Sequence, residues 1–201
     1  RYVTTDDAYV GAQKVLITPD ISGKIERVVV KEGQQVREGD VLFEIDPVPF
    51  RLAVAQAKAN LAQTKVTYDN LVADLKIYAQ MSELSQQGVD LKRRDVERKS
   101  SLVKNNVGSQ LDLDNASAGL VTASAQNQLL RQKISTAQAQ LLGNPDLPIE
   151  EFPPYAQAQA ALDQAQRNLD HTVMRAPMAG TAPQVEQIQL GRFVTAGTPV
   201  F

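Results

Sequence analysis

The stretch Val28-Val-Val-Lys-Glu-Gly33, followed by Val36-Arg-Glu-Gly39-Asp-Val-Leu-Phe43, decides the fold because it returns near the end of the chain. The later copy comprises Leu190-Gly191 and Val194-Thr-Ala-Gly197-Thr-Pro-Val-Phe201 at one constant offset. Apolar, β-branched runs separated by Glu-Gly steps are typical of short strands joined by tight turns. The repeat therefore predicts one small β unit that is assembled from two distant halves. Its predicted turn glycines are Gly23, Gly33, Gly39, Gly180, Gly191 and Gly197.

The composition of the 201 residues restricts the possible functions. Aromatic residues make up 5% of the chain, and the middle is rich in Ala and Gln, which favour helix without providing a thick core. A net charge of −2 argues against nucleic acid as the main partner. The absence of cysteine excludes disulfides and thiolate metal sites. No apolar run approaches the roughly 20 residues of a membrane span, and no signal peptide is recognisable.

Residues 48–104 are predicted to form one long helix, with Asp46-Pro47 as the cap at its start. Apolar residues recur there every seven positions, with a second column three positions later, which is the pattern of a coiled-coil seam. The second column becomes polar towards residue 104, which predicts looser packing, and Gly88 adds a weak point. The first column is Val54, Leu61, Tyr68, Leu75, Ser82, Val89, Val96 and Val103, and the second is Ala57, Thr64, Leu71, Tyr78, Ser85, Lys92 and Lys99.

The segment Lys104–Ser109 predicts a reversal of the chain, in which Asn105, Asn106 and Gly108 tolerate left-handed backbone and Ser109 caps the next helix. Prolines interrupt the returning helix over 143–154, and a last helical stretch covers 155–171. An antiparallel helical hairpin with a compact bulge on its second arm is therefore expected. The seam of that arm is predicted at Leu113, Ala116, Leu120, Ala123, Asn127, Leu130, Ile134, Ala137 and Leu141.

Three other groups of polar residues favour a structural interpretation over a catalytic or metal-binding one. Asp6-Asp7 has no histidine or third carboxylate beside it. The single histidine, His171, follows the last predicted helix, where a cation interacts favourably with the helix dipole. The run Lys92–Lys99 interleaves basic and acidic residues and is predicted to be a solvated helix face, with contacts to acidic residues of a partner as the alternative.

Two segments of the chain resemble the halves of lipoyl and biotinyl domains. Val30–Leu42 is similar to the first half, and Arg175-Ala-Pro-Met-Ala-Gly180 is similar to the opening of the second half. Carrier domains of this kind present a modified lysine on a tight hairpin between the halves. In this chain Asp46-Pro47 stands at that point and the helical insertion follows. A biotin or lipoate carrier is therefore disfavoured.

Split lipoyl halves with an inserted helical hairpin resemble the HlyD/EmrA-type periplasmic adaptors, or membrane fusion proteins, of tripartite efflux and secretion systems. The opening Thr5-Asp-Asp-Ala-Tyr-Val10 is similar to the segment that follows the membrane anchor in EmrA-type members. The resemblance implies an α+β fold with four regions. Residues 1–14 would begin a β-barrel or connecting strand, 15–46 and 173–201 would form the two halves of a lipoyl-like β-sandwich, and 47–172 would form the coiled-coil hairpin, with its tip at 104–109 and its break at 143–154.

The same resemblance implies a non-enzymatic protein without a cofactor. Its implied location is the periplasm of a Gram-negative bacterium, with anchoring to the inner membrane through a segment outside this chain. The implied partners are a TolC-type outer-membrane channel, a drug exporter of the major-facilitator type, and further copies of the adaptor in a trimer or hexamer. An ABC-driven type I secretion system is the alternative transport system, and a plain coiled-coil scaffold is the alternative function.

Many adaptors of this family carry an Arg-x3-Leu-x6-Ser pattern at the hairpin tip, and Arg98, Leu102 and Ser109 fit it. An Arg and a Leu four residues apart share one face of a helix. The resemblance implies that these three residues dock the hairpin to the outer-membrane channel. The alternative is a solvated arginine, a seam leucine and an ordinary helix cap.

Overall fold

The computed structural model describes residues 16–182 and 188–200. The chain divides into two compact units. The first unit consists of the residues up to Asn60 and those from Gln159 onward, and the second unit is Leu61–Ala158. The predicted start of a β-barrel, residues 1–14, lies outside the described residues. The helices are α1 (Val48–Lys104), α2 (Gln110–Gln140) and α3 (Pro153–Asp170), with a 3-10 turn at Ile149–Glu151. The strands are β1 (Gly23–Val28), β2 (Gln35–Val36), β3 (Val41–Ile45), β4 (Val173–Arg175), β5 (Gly180–Thr181) and β6 (Phe193–Val194).

The first unit contains two antiparallel sheets whose strands come from both ends of the chain. One sheet has the order β4-β3-β1-β6, and β2 and β5 form the other. Both sheets contribute to a single buried apolar cluster, so the predicted union of two distant segments in an α+β fold is confirmed. The cluster comprises Ile17, Ile21, Ile25, Val30, Val36, Leu42, Phe43, Ile45, Ala176, Ala182, Ile188, Val194 and Val200.

The two halves of the repeat exchange equivalent hydrogen bonds. The Gly33 N–H donates to the Ala182 carbonyl over 3.1 Å, and the equivalent Gly191 N–H donates to the Ile25 carbonyl over 2.9 Å. The strand pairs β1–β6 and β2–β5 follow the same exchange, because each joins a strand of one half to a strand of the other. Neither half therefore completes its turns or its strand ladders without the other.

Two of the six glycines that the sequence assigned to turns lie in strands instead. Gly23 begins β1 opposite Val194, and Gly180 begins β5 opposite Val36. A Cβ atom at Gly23 would lie 2.5 Å from Cγ2 of Ile45, so this glycine makes room for a core side chain. The remaining four lie in turns and have positive φ angles, which glycine adopts at little cost: Gly33, Gly39, Gly191 and Gly197.

Within the second unit, α1 and α2 pack as an antiparallel coiled coil. The predicted seam is confirmed, because every seam side chain from Leu61 to Leu141 except Lys92 is buried or half-buried. Asn127 is a polar residue inside this seam, 6% exposed, and its Nδ2 donates to Oγ of Ser85 over 3.2 Å. A shift of register would leave the amide buried without a partner, so this pair specifies the alignment of the two helices.

The proline-rich break forms a packed bulge on the second arm of the hairpin. The Tyr68 hydroxyl donates to the Leu147 carbonyl over 2.6 Å, and the Tyr68 ring lies 5.5 Å from that of Phe152. Leu141, Leu147 and Phe152 are 0%, 4% and 2% exposed. The compact bulge that the sequence predicted is thus anchored on α1 by an apolar cluster: Leu71, Ala137, Leu141, Leu147 and Phe152, with Tyr68, Leu75 and Tyr155 packed against it.

Candidate functional site

The reversal between α1 and α2 has a closely defined backbone path. The Val107 N–H donates to the Leu102 carbonyl over 2.9 Å, and the Asn106 N–H donates to the Val103 carbonyl over 3.1 Å. Asn106 has a φ of 58°. This is the Schellman arrangement, in which one left-handed residue lets two amides satisfy the last carbonyls of a helix. Asparagine tolerates that conformation better than most residues, which explains its presence at the turn.

Gly108 serves a close approach of the chain and not a left-handed turn. The positive φ angles at the reversal do not include Gly108 or Asn105, which corrects the sequence-based expectation for both residues. A Cβ atom at Gly108 would lie 2.8 Å from Cβ of Leu102 and 2.9 Å from the backbone nitrogen of Val103. The returning chain therefore passes directly over the last turn of α1, where only glycine fits.

Ser109 caps the returning helix, as the sequence predicts. Its backbone is extended, and its Oγ accepts a hydrogen bond from the Asp112 N–H over 3.3 Å. The Ser109 carbonyl also accepts a hydrogen bond from the Leu113 N–H over 3.2 Å, which starts the helical ladder. This cap satisfies one of the amides that a helix start leaves free, and it fixes the direction in which α2 leaves the reversal.

Arg98 lies one helical turn before Leu102 on α1, and it is engaged with a carboxylate of its own helix. Its guanidinium donates to Oδ1 of Asp95 over 2.9 Å, while Nζ of Lys99 donates to Oδ2 over 3.2 Å. The hydrogen bond from Arg98 is the main cause that lowers the pKa of Asp95, with the bond from Lys99 second. Arg98 remains 70% exposed, so its guanidinium faces water while it is held by Asp95.

Exposed apolar side chains flank the reversal on both arms. Leu102, Val107 and Leu111 are 42%, 72% and 67% exposed, and we call these three residues the apolar tip. Leu102 was predicted from the sequence as a docking residue, whereas Val107 and Leu111 were not. The sequence could have revealed both. Leu111 is an apolar residue outside both seam columns, and Val107 is the one apolar residue of the polar segment 104–109, so exposure of each could have been expected.

Of the other sequence candidates, the basic run Lys92–Lys99 includes Arg98, and the rest lie away from this reversal along the chain. His171 follows α3, and its Nδ1 lies 3.5 Å from Oδ2 of Asp20, a contact that becomes an ion pair when the imidazole is protonated. In the basic run, Arg93 lies 3.5 Å from Asp90 of its own helix. Asp6-Asp7 and the opening segment Thr5–Val10 lie outside the described residues.

Residues 16–182 and 188–200 contain no group of three or more His, Cys, Asp or Glu side chains that could hold a metal ion. Over the same residues, no helix combines the length and the apolar character that a membrane crossing requires. The exposed tip of the hairpin combines the apolar tip with the guanidinium of Arg98.

A family model described as "RND MFP, barrel-sandwich hybrid domain" matches residues 13–201. Among curated relatives, the multidrug resistance protein MdtA of Yersinia enterocolitica is 28% identical over 198 residues, which cover 98% of this chain and 33% of MdtA. The chain thus spans about a third of the length of the curated relatives it matches.

Partial structural likenesses accompany the family match. The periplasmic adaptor protein EmrA aligns with 94% of this chain and 71% of its own length, with a TM-score of 0.46 and 16% identity. A MacA–MexA chimera containing the α-hairpin domain of Pseudomonas aeruginosa MexA aligns with 84% of this chain and 38% of its own, with a TM-score of 0.38 and 25% identity. The family assignment rests on the family model, which covers both halves of the β unit and the hairpin between them. The chain belongs to the RND-type membrane fusion proteins, whose barrel-sandwich hybrid domain it contains.

Proposed function

We propose that this chain is part of a periplasmic adaptor that connects an inner-membrane drug exporter with a TolC-type outer-membrane channel for multidrug efflux. Membership of the membrane fusion protein family supports the adaptor role, and the similarity to the multidrug resistance protein MdtA supports drugs as the cargo. The adaptor would be anchored to the inner membrane and assembled from several copies, as a trimer or a hexamer. Its role is to bind and connect partners, with no reaction of its own.

The observation that carries the docking proposal is the apolar tip. Isolated apolar side chains on a protein surface are common, whereas Leu102, Val107 and Leu111 are exposed together around one reversal. The Schellman turn and the Ser109 cap hold that backbone in place before a partner binds. A preorganised surface loses less conformational entropy on binding. Such a tip is suited to a groove between the helices of a partner.

Arg98 and Ser109 complete the proposed docking set around Leu102. The Arg98 guanidinium is exposed and shares Asp95 with Lys99, so a carboxylate of the channel can replace one of these contacts. Ser109 acts first as the cap of α2, and it directly follows Gly108, whose position approaches Leu102 closely. The set therefore offers an apolar anchor with a cation and a hydroxyl at its margin.

The type of inner-membrane exporter has two candidates. The opening Thr5–Val10 resembles EmrA-type adaptors and favours a major-facilitator exporter, whereas the description of the matching family model names the RND type. Co-purification of the full-length protein with each exporter class, expressed side by side, separates the two. An ABC exporter carried in parallel tests the type I secretion alternative.

Docking is tested in the full-length protein by Leu111→Asp and Leu102→Asp, with drug resistance of an efflux-deficient strain as the measurement. Leu52→Asp is the matched control, because Leu52 is 65% exposed, similar to Leu111, and lies at the opposite end of α1. We expect resistance to be lost with the tip variants and kept with the control, at equal protein levels and equal helix content. Unchanged resistance in both tip variants would refute docking through the tip.

Site-specific cross-linking provides a second measurement. This sequence has no cysteine, so a cysteine introduced at Val107 is a unique attachment point within it. We expect the Val107→Cys variant to cross-link to a co-expressed channel. The matched variant at Val121, which is 68% exposed on α2, should give no adduct. Equal adducts from both positions would show contact along the arm instead of docking by the tip.

A further inference from the structure

We infer that the hairpin contains a built-in flexure, at Ser82–Lys92 of α1 and Gly119–Asn127 of α2, across which its tip bends relative to the rest of the second unit. Each of the two long helices contains one glycine, Gly88 in α1 and Gly119 in α2. Glycine is among the least favourable residues for a helix interior. The flexure follows from the two glycines and the packing around them, whereas its role in positioning the tip rests on the proposed docking function.

The two glycines lie in the same section of the hairpin. The Lys92 side chain lies over Gly119, with its Cδ 3.7 Å from the position of a Cβ atom there. Three residues before Gly88, Ser85 accepts the hydrogen bond from Asn127 across the seam. Two contacts thus cross the hairpin here, Ser85 with Asn127 and Lys92 with Gly119. On α1, Gly88 lies between Ser85 and Lys92. Both helices are weakened within this one section.

Packing does not explain either glycine. A Cβ atom at Gly88 would meet nothing within 4 Å, and at Gly119 it would make only an ordinary contact with the flexible Lys92 side chain. Neither residue has a positive φ. Gly108 and Gly23 differ, because a Cβ atom there would come within 3 Å of its neighbours. Alanine fits at positions 88 and 119, so both glycines reduce helix stability without improving the contact between the helices.

The seam between these positions is also poor in apolar contact. Ser82 and Ser85 occupy it on α1, Ala123 and Asn127 occupy it on α2, and Val89 is the one large apolar side chain buried there. The apolar cluster of the second unit lies further from the tip, and Leu75 is the residue of α1 nearest the tip that packs against it. Regions with few buried apolar contacts open at lower free energy than well-packed regions. This section should therefore fluctuate more than the seam on its base side.

The Ser85–Asn127 hydrogen bond keeps the two helices in register within the flexure. A polar pair inside a seam specifies register while stabilising the helix pair less than apolar packing does. The section can bend while this bond prevents one helix from sliding along the other. A bend of this kind would redirect the apolar tip without unfolding the reversal, whose Schellman turn and cap are local to residues 102–113.

Hydrogen–deuterium exchange on the full-length protein, read by mass spectrometry, tests the flexure. We expect faster amide exchange in 82–92 and 119–127 than in 68–78 and 130–140 of the same helices. The double variant Gly88→Ala/Gly119→Ala should slow exchange in the section by roughly tenfold, because both helices gain intrinsic stability there. Uniform exchange along the hairpin, or an unchanged rate in the double variant, would overturn the inference.

A relocated glycine is the matched control. In Gly88→Ala/Ala79→Gly the glycine count of α1 is unchanged and the weak point moves towards the base, at the exposed residue Ala79. We expect exchange to slow around residue 88 and to accelerate around residue 79. A profile that still peaks at residue 88 would show that the glycine does not set the flexure, and the inference would fail.

Drug resistance tests the role of the flexure in docking, separately from the exchange measurement that tests the flexure itself. We expect Gly88→Ala/Gly119→Ala to lower drug resistance while the purified protein becomes more stable to heat. If Leu102→Asp and Leu111→Asp both leave resistance unchanged and exchange in 82–92 still slows in the double variant, docking is wrong and the flexure stands. If exchange does not respond, the flexure is refuted whatever the resistance assay gives.

Discussion

Leu142 has a left-handed backbone, with a φ of 55°, just after the end of α2. Its N–H donates to the Ala139 carbonyl over 3.0 Å, and the Gly143 N–H donates to the Gln138 carbonyl over 2.9 Å, which completes a second Schellman turn. Helices usually place glycine at the position that Leu142 occupies, because a side chain there costs about 1–2 kcal/mol. The Leu142 side chain is 64% exposed, so little burial offsets this strain.

We expect Leu142→Gly to raise the free energy of unfolding of the second unit by roughly 0.5–1 kcal/mol, the relieved strain less the greater freedom of glycine in the unfolded chain. Urea denaturation followed by circular dichroism measures the change. Gly143→Ala is the matched control, since φ there is 75° and a Cβ atom would meet nothing within 4 Å. It should lower stability by about 1 kcal/mol through backbone strain alone. A loss of stability in Leu142→Gly would contradict the strain argument.

For single residues, the sequence predicts a structural role correctly when that role depends on the neighbouring residues in the chain. Ser109 precedes a helical pattern and caps it, and Asn106 takes the left-handed turn. Gly23 and Gly180 were wrongly assigned to turns. Gly23 makes room for the distant Ile45 side chain, and in sequence such a glycine looks like a turn glycine.

Among the helices and their connections, the bulge after α2 packs on α1 through a buried aromatic side chain. Phe152 is 2% exposed and contacts the Tyr68 ring of α1, so removing its side chain leaves a cavity. We expect Phe152→Ala to destabilise the second unit by about 3–5 kcal/mol. Tyr68→Phe, which removes only the hydrogen bond to the Leu147 carbonyl, should cost about 1 kcal/mol. Urea titration of helix content compares the two variants.

Leu129→Ala is the control for that comparison. Leu129 is 62% exposed on α2, and truncating an exposed side chain usually changes stability by no more than about 0.5 kcal/mol. If Phe152→Ala were as mild as Leu129→Ala, the bulge would contribute nothing to the second unit. The apolar cluster around Leu141 and Leu147 would then be incidental to its stability.

The hairpin seam was predictable because its period of seven residues is a local property of the sequence. Even the polar seam residue Asn127 follows that period, and the structure buries it against Ser85. The bulge was predictable in position from its prolines, but not in its contacts. Which side chain of α1 receives Phe152 depends on how far the loop folds back, and no periodic pattern encodes that distance.

For the molecule as a whole, the repeat predicted that distant segments share one fold, and the exchanged hydrogen bonds show why. Each half of the β unit leaves amides and carbonyls that the other half satisfies, as at Gly33 with Ala182 and Gly191 with Ile25. Buried backbone groups without partners are costly, so the two halves fold together or not at all. The strand order β4-β3-β1-β6 was beyond prediction, because two-residue strands such as β6 have no pattern of their own.

The same reciprocity predicts that the β unit folds without its insertion. The Ile45 N–H donates to the Thr172 carbonyl over 2.7 Å, and Glu44 pairs with Val173, so the two ends of the insertion are adjacent. We expect a chain in which an Asn-Gly turn replaces residues 46–171 to show dispersed amide resonances and one cooperative thermal transition. It should be less stable than the first unit of the intact protein, because Phe50 no longer packs on the apolar cluster.

The shortened chain without residues 173–201 should remain unfolded, since β1, β2 and β3 then lack the strands that the second half supplies. Cooperative folding of that first half alone would contradict the proposed mutual dependence of the halves.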